Sequence, residues 1–491
     1  MRKTRIVATI GPSSESEEML EKLIKAGMNV ARFNMSHGTH EEHLNKIKKI
    51  KKINARLGTN VGLMLDTKGP EIRFGDFEND KALLVQGEKF ILTTKEVLGT
   101  DKKGYVTYEG ITNDVREGSI ILLDDGLIEL EVIKVKKSEI ECLVKNTGTI
   151  KSKKSLNIPG VKLSLPALTK KDKEDILFGI ENDIDFIAAS FVRKAKDVQD
   201  LRDYIDGING TRIKIISKIE NEEGINNFDE ILELSDGIMI ARGDMGVEVP
   251  IEKLPNIQKM MIKKCISKGK MVITATQMLE SMVTNPRPTR AEVSDVANAI
   301  YDGTGAIMLS GESASGEYPQ ECVEMMDSIA TTTEKQIDYW NRFKKRNVEK
   351  MGAYVENIKS KTMSEEQNFR RQINFAVCSS ALFTDAKAII SISDKGKTPS
   401  VLSGYRPGCP IYVLTANEKT YRQLSLEWGI KAYYFPEIYK FEELLRRGVN
   451  KLIEEGRLQK GDTAILGGGT SNDHVSENYL STQAMGAVIR I

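Results

Sequence analysis

The sequence predicts an α/β protein: a (β/α)8 barrel carrying an inserted all-β domain and followed by a separate α/β domain. Three observations lead there. Strand-like apolar runs alternate with helical patterns up to residue 69, and the alternation breaks for roughly a hundred residues of short β-branched runs. It then resumes for five more repeats. Three units before the break and five after it make eight parallel βα units, the number that closes a barrel. An open doubly wound sheet is the alternative for the same rhythm.

In chain order, Ile6–Ile10 reads as the first strand. Ser13 or Ser14 followed by Glu17 and Glu18 reads as a capped helix start running to Gly27. Asn29–Phe33 is the second strand, residues 41–57 the next helix, and Val61–Asp66 the third strand. Phe90–Thr94, Ile120–Leu123, Ile128–Val135 and Ile140–Lys145 are short strands separated by turn signals such as Asp124-Asp125-Gly126. Helical pattern resumes at Leu168-Thr169. The five later strands are Phe186–Ser190, Lys214–Ile219, Gly237–Ala241, Met271–Thr276 and Ala306–Leu309. Beyond Asn341 a lysine-rich stretch leads to strands at Ala388–Ser393, Ile411–Thr415, Ala432–Phe435, Thr463–Leu466 and Ala487–Ile491. The expected domains are residues 1–69 with 167–340, residues 70–166, and residues 341–491.

Composition narrows the function. With 71 basic against 70 acidic residues the net charge is +1, so nothing pulls the whole chain toward nucleic acid or an anionic membrane. Five scattered cysteines without a CxxC fit a reducing compartment rather than a disulfide framework or zinc site. The apolar run behind the basic start ends at Gly11-Pro12, too short for a signal sequence, and no run of about 18 apolar residues follows. A cytoplasmic protein without a membrane or nucleic-acid partner is expected.

In a barrel of this type the active site lies at the C-terminal ends of the strands, and polar residues crowd those ends. The stretch Ile213–Asn221 is an apolar strand ending in Lys218 and Glu220, two positions apart and therefore on one face. Alone, this pair reads equally well as a structural ion pair. Arg32, Asn34 and Ser36 end the second strand, Asp66, Thr67 and Arg73 follow the third, Arg242-Gly243-Asp244 the sixth, and Thr274, Thr276 and Gln277 the seventh. Glu220 and Asp244 are hard oxygen ligands suited to Mg2+ or Mn2+. Arg32, Arg73 and Lys218 suit phosphate. Asn34, Ser36, Asp66 and Thr67 offer oxygens for a larger monovalent cation, and Gly243-Asp244 could present backbone N–H groups to a carboxylate. The set points to phosphoryl transfer assisted by metal and lysine.

These residues stand in motifs that resemble pyruvate kinases over nearly the whole chain. The motifs include Lys3–Ser13, Asn29–Gly38, Leu65–Arg73, Lys218-Ile-Glu-Asn221, Ala241–Glu248, Thr276–Met282 and Pro286–Asn298. The resemblance implies transfer of the phosphoryl group of phosphoenolpyruvate to ADP, giving ATP and pyruvate in glycolysis. It implies that Lys218 stabilises the transferring group and the enolate, and that Glu220 and Asp244 hold Mg2+. Arg32, Lys218, Gly243, Asp244 and Thr276 would contact substrate, with Thr276 near the face where enolpyruvate is protonated. Asn34, Ser36, Asp66 and the Thr67 carbonyl would hold K+, while Arg73, Lys154, Asn34 and His37 would meet the nucleotide. The insertion would be a mobile lid, and the assembly a homotetramer. Glu71, where some members carry lysine, goes with K+ dependence: an extra carboxylate asks for an extra cation.

Two further features are weaker. Ser393-Asp-Lys-Gly-Lys-Thr398 resembles the family's phosphate-binding loop for a sugar-phosphate or nucleotide effector, with Ser393, Lys395, Lys397 and Thr398 as its donors; an ordinary turn into a helix is the alternative. Gly467–Asp473 resembles its glycine-rich effector loop, but about a dozen extra residues follow before the last strand. His37, His40 and His43 have spacing that could serve a transition metal, though solvated or capping roles are commoner. Lys46–Lys52 reads as a solvated helix face. Two other functions share parts of this inventory, another enolate-forming barrel enzyme and a sugar-phosphate sensor that has kept only the fold.

Overall fold

The computed structural model describes residues 1–210, 212–347, 365–437, 441–467 and 487–491. Eight parallel strands close into one barrel: β1 (Arg5–Thr9), β2 (Val30–Asn34), β3 (Gly62–Asp66), β4 (Phe186–Ala189), β5 (Lys214–Ile219), β6 (Gly237–Ala241), β7 (Met271–Ala275) and β8 (Ala306–Leu309). β8 pairs with β1, with Arg5 opposite Ala306, so the ring is complete and the doubly wound alternative falls. The strands are apolar on both faces because each is covered twice. Val7, Met64, Phe186, Ile216 and Met239 fill the interior, while Ile6, Leu63, Ile187 and Ile240 pack against the outer helices.

Strand ends fall within one residue of expectation in the barrel, and helix caps explain most helix starts. One cap differs. The helix Glu17–Ala26 is capped by Ser16, whose side chain accepts from the Met19 N–H, and not by Ser13 or Ser14. The Ser14 hydroxyl is turned inward, where it accepts from the Gly11 N–H at 3.1 Å. Gly27 closes that helix at φ 118°, a left-handed conformation open to glycine at little cost.

The insertion leaves the barrel after β3 and returns before the helix Lys170–Glu181. It forms a six-stranded sheet and a two-stranded ribbon, Lys81–Leu84 with Gly148–Lys151, around its own core of Phe74, Phe90, Ile121, Leu130 and Ile140. The third region is a five-stranded sheet in the order Ile430–Tyr434, Ile411–Thr415, Ala388–Ile392, Thr463–Leu466, Ala487–Arg490. Its last strand runs antiparallel to its neighbour. The third of the sheet's strands in sequence starts two residues earlier than expected, at Ile430. Leu426 of this region packs into the barrel's interior cluster and plugs the end opposite the polar mouth. Among the described residues no helix is long and apolar enough to cross a membrane.

Candidate functional site

The polar mouth is built on the C-terminal ends of β2, β3, β4 and β5. Arg32 on β2 donates through Nε to Asp66 Oδ2 at 2.6 Å and through Nη1 to Thr9 Oγ1 at 2.9 Å. Lys218 on β5 reaches across to Asp66 Oδ1 at 3.0 Å and to Ser190 Oγ at 2.7 Å. Its ammonium also lies 3.0 Å from Glu220 Oε1. Ser190, just beyond β4, donates to the Thr67 carbonyl at 2.6 Å and so ties the β3 end to the β4 end. All of these groups are buried.

Burial disfavours each charge here, and the neighbours decide the outcome. For Lys218 desolvation is outweighed by Asp66 and Glu220, so the ammonium is held charged, well above its ordinary range. For Asp66 desolvation is outweighed by Arg32 and Lys218, and the carboxylate falls below its ordinary value. Glu220 goes the other way. Burial pushes it up, Lys218 pulls it back, and Asp244 pushes it up again, with the net direction upward. The corner between Glu220 and Asp244 is thus short of positive charge. Glu220 Oε2 is fixed by the Phe191 N–H at 2.5 Å, and Phe191 holds φ 55° to aim it.

The opposite wall has a strained backbone. Thr276 and Gln277 sit at φ 73° and 53°, a region β-branched residues rarely adopt. Arg242 holds them there. Its buried guanidinium donates to the carbonyls of Ala275, Thr276 and Gln277 at 3.2, 2.7 and 3.2 Å and pairs with Asp295 at 2.6 Å. Gly243 makes this possible sterically, because a Cβ there would stand 2.9 Å from Thr276 Cγ2. Gly243 and Asp244 fall in the first turn of the short helix Arg242–Glu248.

The inserted domain hangs over this mouth. Asn157 Nδ2 donates to Glu248 Oε1 at 2.9 Å across the gap, and a cavity of about 270 Å³ between the two is lined by Glu71, Asn157, Phe191 and Asp244 among others. Arg73 and Ser155 face each other in an antiparallel bridge, which sets Arg73 beside Lys154.

Two family models match the chain: the pyruvate kinase barrel domain over residues 1–323 and the pyruvate kinase alpha/beta domain over residues 371–481. The chain belongs to the pyruvate kinase family. Its relatives include the pyruvate kinase of Staphylococcus haemolyticus, 50% identical over 475 residues, covering 96% of this chain and 78% of that protein. The pyruvate kinase of Bacillus licheniformis is 47% identical over 491 residues, covering 100% and 81%. A crystal structure of a pyruvate kinase from Cryptosporidium parvum superposes with a TM-score of 0.89 at 39% identity, covering 100% of this chain and 96% of that one. Membership in the pyruvate kinase family makes the chain a phosphotransferase of glycolysis, and neither the other enolate-forming enzyme nor the sensor reading is favoured.

Several expected positions stand differently from one another. Arg32, Asp66, Thr67, Lys218 and Glu220 converge, with Asp244 at their edge. Asn34 and Ser36 lie just outside, where Asn34 Oδ1 accepts from the Ser36 N–H at 3.1 Å. Arg73 is engaged with Glu71 at 2.8 Å and the Lys153 carbonyl at 2.6 Å, and Lys154 with Asp124 at 2.7 Å. His37 is exposed. The three histidines do not converge: His40 bonds Asp175 at 2.7 Å and stacks on Phe178, while His43 bonds the His37 carbonyl at 2.8 Å. Lys46 is buried rather than solvated, packed under Glu15. In the third region Ser393 Oγ accepts from the Gly396 N–H at 3.0 Å, a turn opening the helix Lys397–Tyr405. Lys395, Lys397 and Thr398 belong to that turn and helix start. The glycine-rich stretch from residue 468 to 473 lies outside the described residues.

Sequence reasoning missed Thr9 and Ser190 as partners of Arg32 and Lys218. A hydroxyl at a strand end was the only signal, and it is common. It also passed over Arg242 as the brace of Thr276, which no local pattern announces.

Proposed function

We propose that the chain transfers the phosphoryl group of phosphoenolpyruvate to ADP at the mouth formed by β2 to β7, with Lys218 as the central catalytic residue. The observation that carries this reading is the Lys218 ammonium, buried, charged, and held by Asp66, Ser190 and Glu220 before any substrate arrives. A donor fixed in advance meets developing negative charge without reorganising, which is where such groups contribute most. Arg32 is held in the same way by Asp66 and Thr9 and would orient the phosphate or carboxylate end of the substrate. Thr276 and Gly243 would contact the enolpyruvate, with the Thr276 hydroxyl placed by the Arg242 brace on the face that receives the proton.

Glu220 and Asp244 would hold Mg2+ or Mn2+. Among the described residues no three His, Cys, Asp or Glu side chains cluster as a metal cage. Two carboxylates suit an ion that keeps waters and takes substrate oxygens for its remaining positions, and the upward push on Glu220 fits a corner made for a cation. When bound, the ion supplies charge stabilisation for the phosphoryl oxygens. Asn34, Ser36, Asp66 and the Thr67 carbonyl would hold K+. Arg73, Lys154, Asn34 and His37 would meet the nucleotide, with Arg73 and Lys154 exchanging Glu71 and Asp124 for phosphate as the lid closes.

The proposed domains are residues 1–69 with 167–340 for the barrel, 70–166 for the lid and 341–491 for a regulatory domain. Ser393, Lys395, Lys397 and Thr398 would take a sugar-phosphate or nucleotide effector, in a cytoplasmic homotetramer. A coupled assay for ADP-dependent pyruvate formation, run with and without Mg2+ and K+, tests the reading. Activity that needs ADP and both cations is expected. Pyruvate formation independent of ADP would overturn the reaction, and equal rates in buffer free of K+ and Na+ would overturn the monovalent site.

A further inference from the structure

Away from the mouth, the seam between the barrel and the C-terminal domain collects positive charge that nothing in the proposed reaction uses. Arg342 and Arg346 lie on the helix Tyr339–Asn347, and Arg406 follows the helix Lys397–Tyr405 from the other side. They line one cavity of about 20 Å³ together with Tyr339, Trp428 and Glu334. Two of them rest on the same turn at the end of the helix Arg290–Asp302. Arg406 Nη2 donates to the Gly303 carbonyl at 3.1 Å, and Arg346 Nη2 packs so closely over Gly303 that a Cβ there would meet it at 2.7 Å.

The cluster has no bonded counter-charge among the described residues. Among the described residues none of the three guanidinium groups forms an ion pair: Arg342 lies over the Tyr301 ring at 5.8 Å and Arg406 over the Trp428 ring at 4.6 Å. The one acid on the lining, Glu334, spends both oxygens on the backbone N–H groups of Lys3 and Thr4, at 2.7 and 2.6 Å. Glu427, nearby, accepts the Ser400 hydroxyl at 2.6 Å. Arg406 is only 8% exposed, yet among the described residues its Nε has no acceptor, and the buried Tyr339 hydroxyl has no partner either. Burial and then the adjacent arginine push both Arg346 and Arg406 below the usual guanidinium range, and for Arg406 the nearby Glu427, Tyr339 and Glu334 offset only part of that push. Like charges gathered in a partly dry seam are unfavourable unless an anion completes them.

We propose that this seam binds a small oxyanion, of the phosphate or carboxylate class, between Arg342, Arg346 and Arg406, bridging the barrel to the C-terminal domain. The cavity of about 20 Å³ is little more than the roughly 10–15 Å³ that one water requires, so an oxyanion enters as the half-exposed Arg342 side chain turns outward to admit it. Planar guanidinium forks and an orphaned phenol suit oxygens better than a halide. The site is separate from the phosphate subsites proposed at the barrel mouth and at Ser393–Thr398, and it does not depend on them.

Thermal unfolding in sodium sulfate, sodium acetate and sodium chloride at matched ionic strength tests the site. The full chain is compared with the double variant R342Q/R346Q, and tryptophan emission is followed in parallel because Trp428 stacks on Arg406. Sulfate also stabilises proteins by exclusion from their surface, so the reading is the difference between the two chains. For wild type we expect an additional rise in Tm of about 1–2 °C and a saturable change in emission. Both should be lost in the double variant. A shift with sulfate alone assigns a tetrahedral oxyanion, and a shift with acetate as well widens the class to carboxylates; both support the site. If the double variant does not fold, R342Q alone should lose at least half of the shift. Equal responses in wild type and variant, or none in either, overturn the proposal and leave a seam filled by water.

Discussion

The barrel carries a cluster of acids and bases at each end, and the two are alike in composition, though Asp183 at the closed end is exposed. At the mouth, Asp66 and Glu220 stand with Arg32 and Lys218. At the opposite end, Asp183 and Asp185 stand with Lys419 and Arg422 of the C-terminal domain. The same strands serve both: β3 has its Leu63 N–H on Asp185 Oδ2 at 2.9 Å and ends in Asp66. What separates the clusters is satisfaction. Arg422 spreads over the fully covered Asp185 and the exposed Asp183 and Glu418, so every acid of that cluster has a bonded cation. Burial pushes the Asp185 carboxyl up as it does Glu220. At the mouth Asp244 adds to the push on Glu220 and lines an open cavity, and the Lys218 ammonium at 3.0 Å offsets only part of it. A charge cluster with its needs met is a strut, while one left incomplete is prepared for a ligand.

The largest expected effect is at the closed end. Asp185→Ala leaves Arg422 buried with its main partner gone, and breaking a buried pair this way costs about 3–5 kcal/mol. Chemical denaturation should show that loss, with kcat unchanged at 25 °C. A tenfold fall in kcat at unchanged stability would erase the distinction between the ends. Lys218→Ala is the mirror experiment. We expect kcat to fall at least a hundredfold, on the order of 3–4 kcal/mol, with a modest change in the KM for phosphoenolpyruvate and a smaller loss of stability than in Asp185→Ala, because Arg32 still holds Asp66. A variant keeping a tenth of wild-type kcat would contradict the role.

Smaller effects sharpen the comparison. Arg242→Lys cannot hold the Ala275, Thr276 and Gln277 carbonyls together, so the strained turn should relax, releasing about 1–3 kcal/mol of backbone strain. We expect kcat to drop about tenfold with little loss of Tm; an unchanged kcat would remove Arg242 as a positioning residue. The smallest effect concerns acid. Burial alone would raise Asp183, but Lys419 and Arg422 outweigh it and hold it below 3.8. Its contribution is therefore present above that value and lost as the pH falls through the lower, folded one. Asp183→Asn should lower stability slightly at neutral pH and flatten the acid limb below about pH 4, as read from denaturation midpoints. A steeper acid limb in the variant would reverse the assigned sign.

Much of this was legible in the chain. Lys218 and Glu220 could be placed on one face from strand alternation alone, and the eight-unit rhythm located the mouth at the strand ends. Lys154 and the Ser393 turn were legible only through family motifs, since a lysine in a β-rich loop has no local mark of function, whereas Arg73 could be read from its place after the third strand. Ser190 and Thr9 were not legible, because hydroxyls at strand ends serve ordinary hydrogen bonds as often as catalytic ones. The inward turn of Ser14 and the burial of Lys46 were also hidden, since both depend on what packs above them.

By itself the sequence determined which segments become strands and helices, and which charged residues stand at which strand end, because periodicity and capping are local. Tertiary structure alone decided which charges meet. Asp66 is shared by Arg32 and Lys218, residues 34 and 152 positions away, and Thr276 is held by a guanidinium from the neighbouring strand's end. Barrel closure brings these groups within hydrogen-bond distance, and at that range, out of water, their charges fix one another's ionisation.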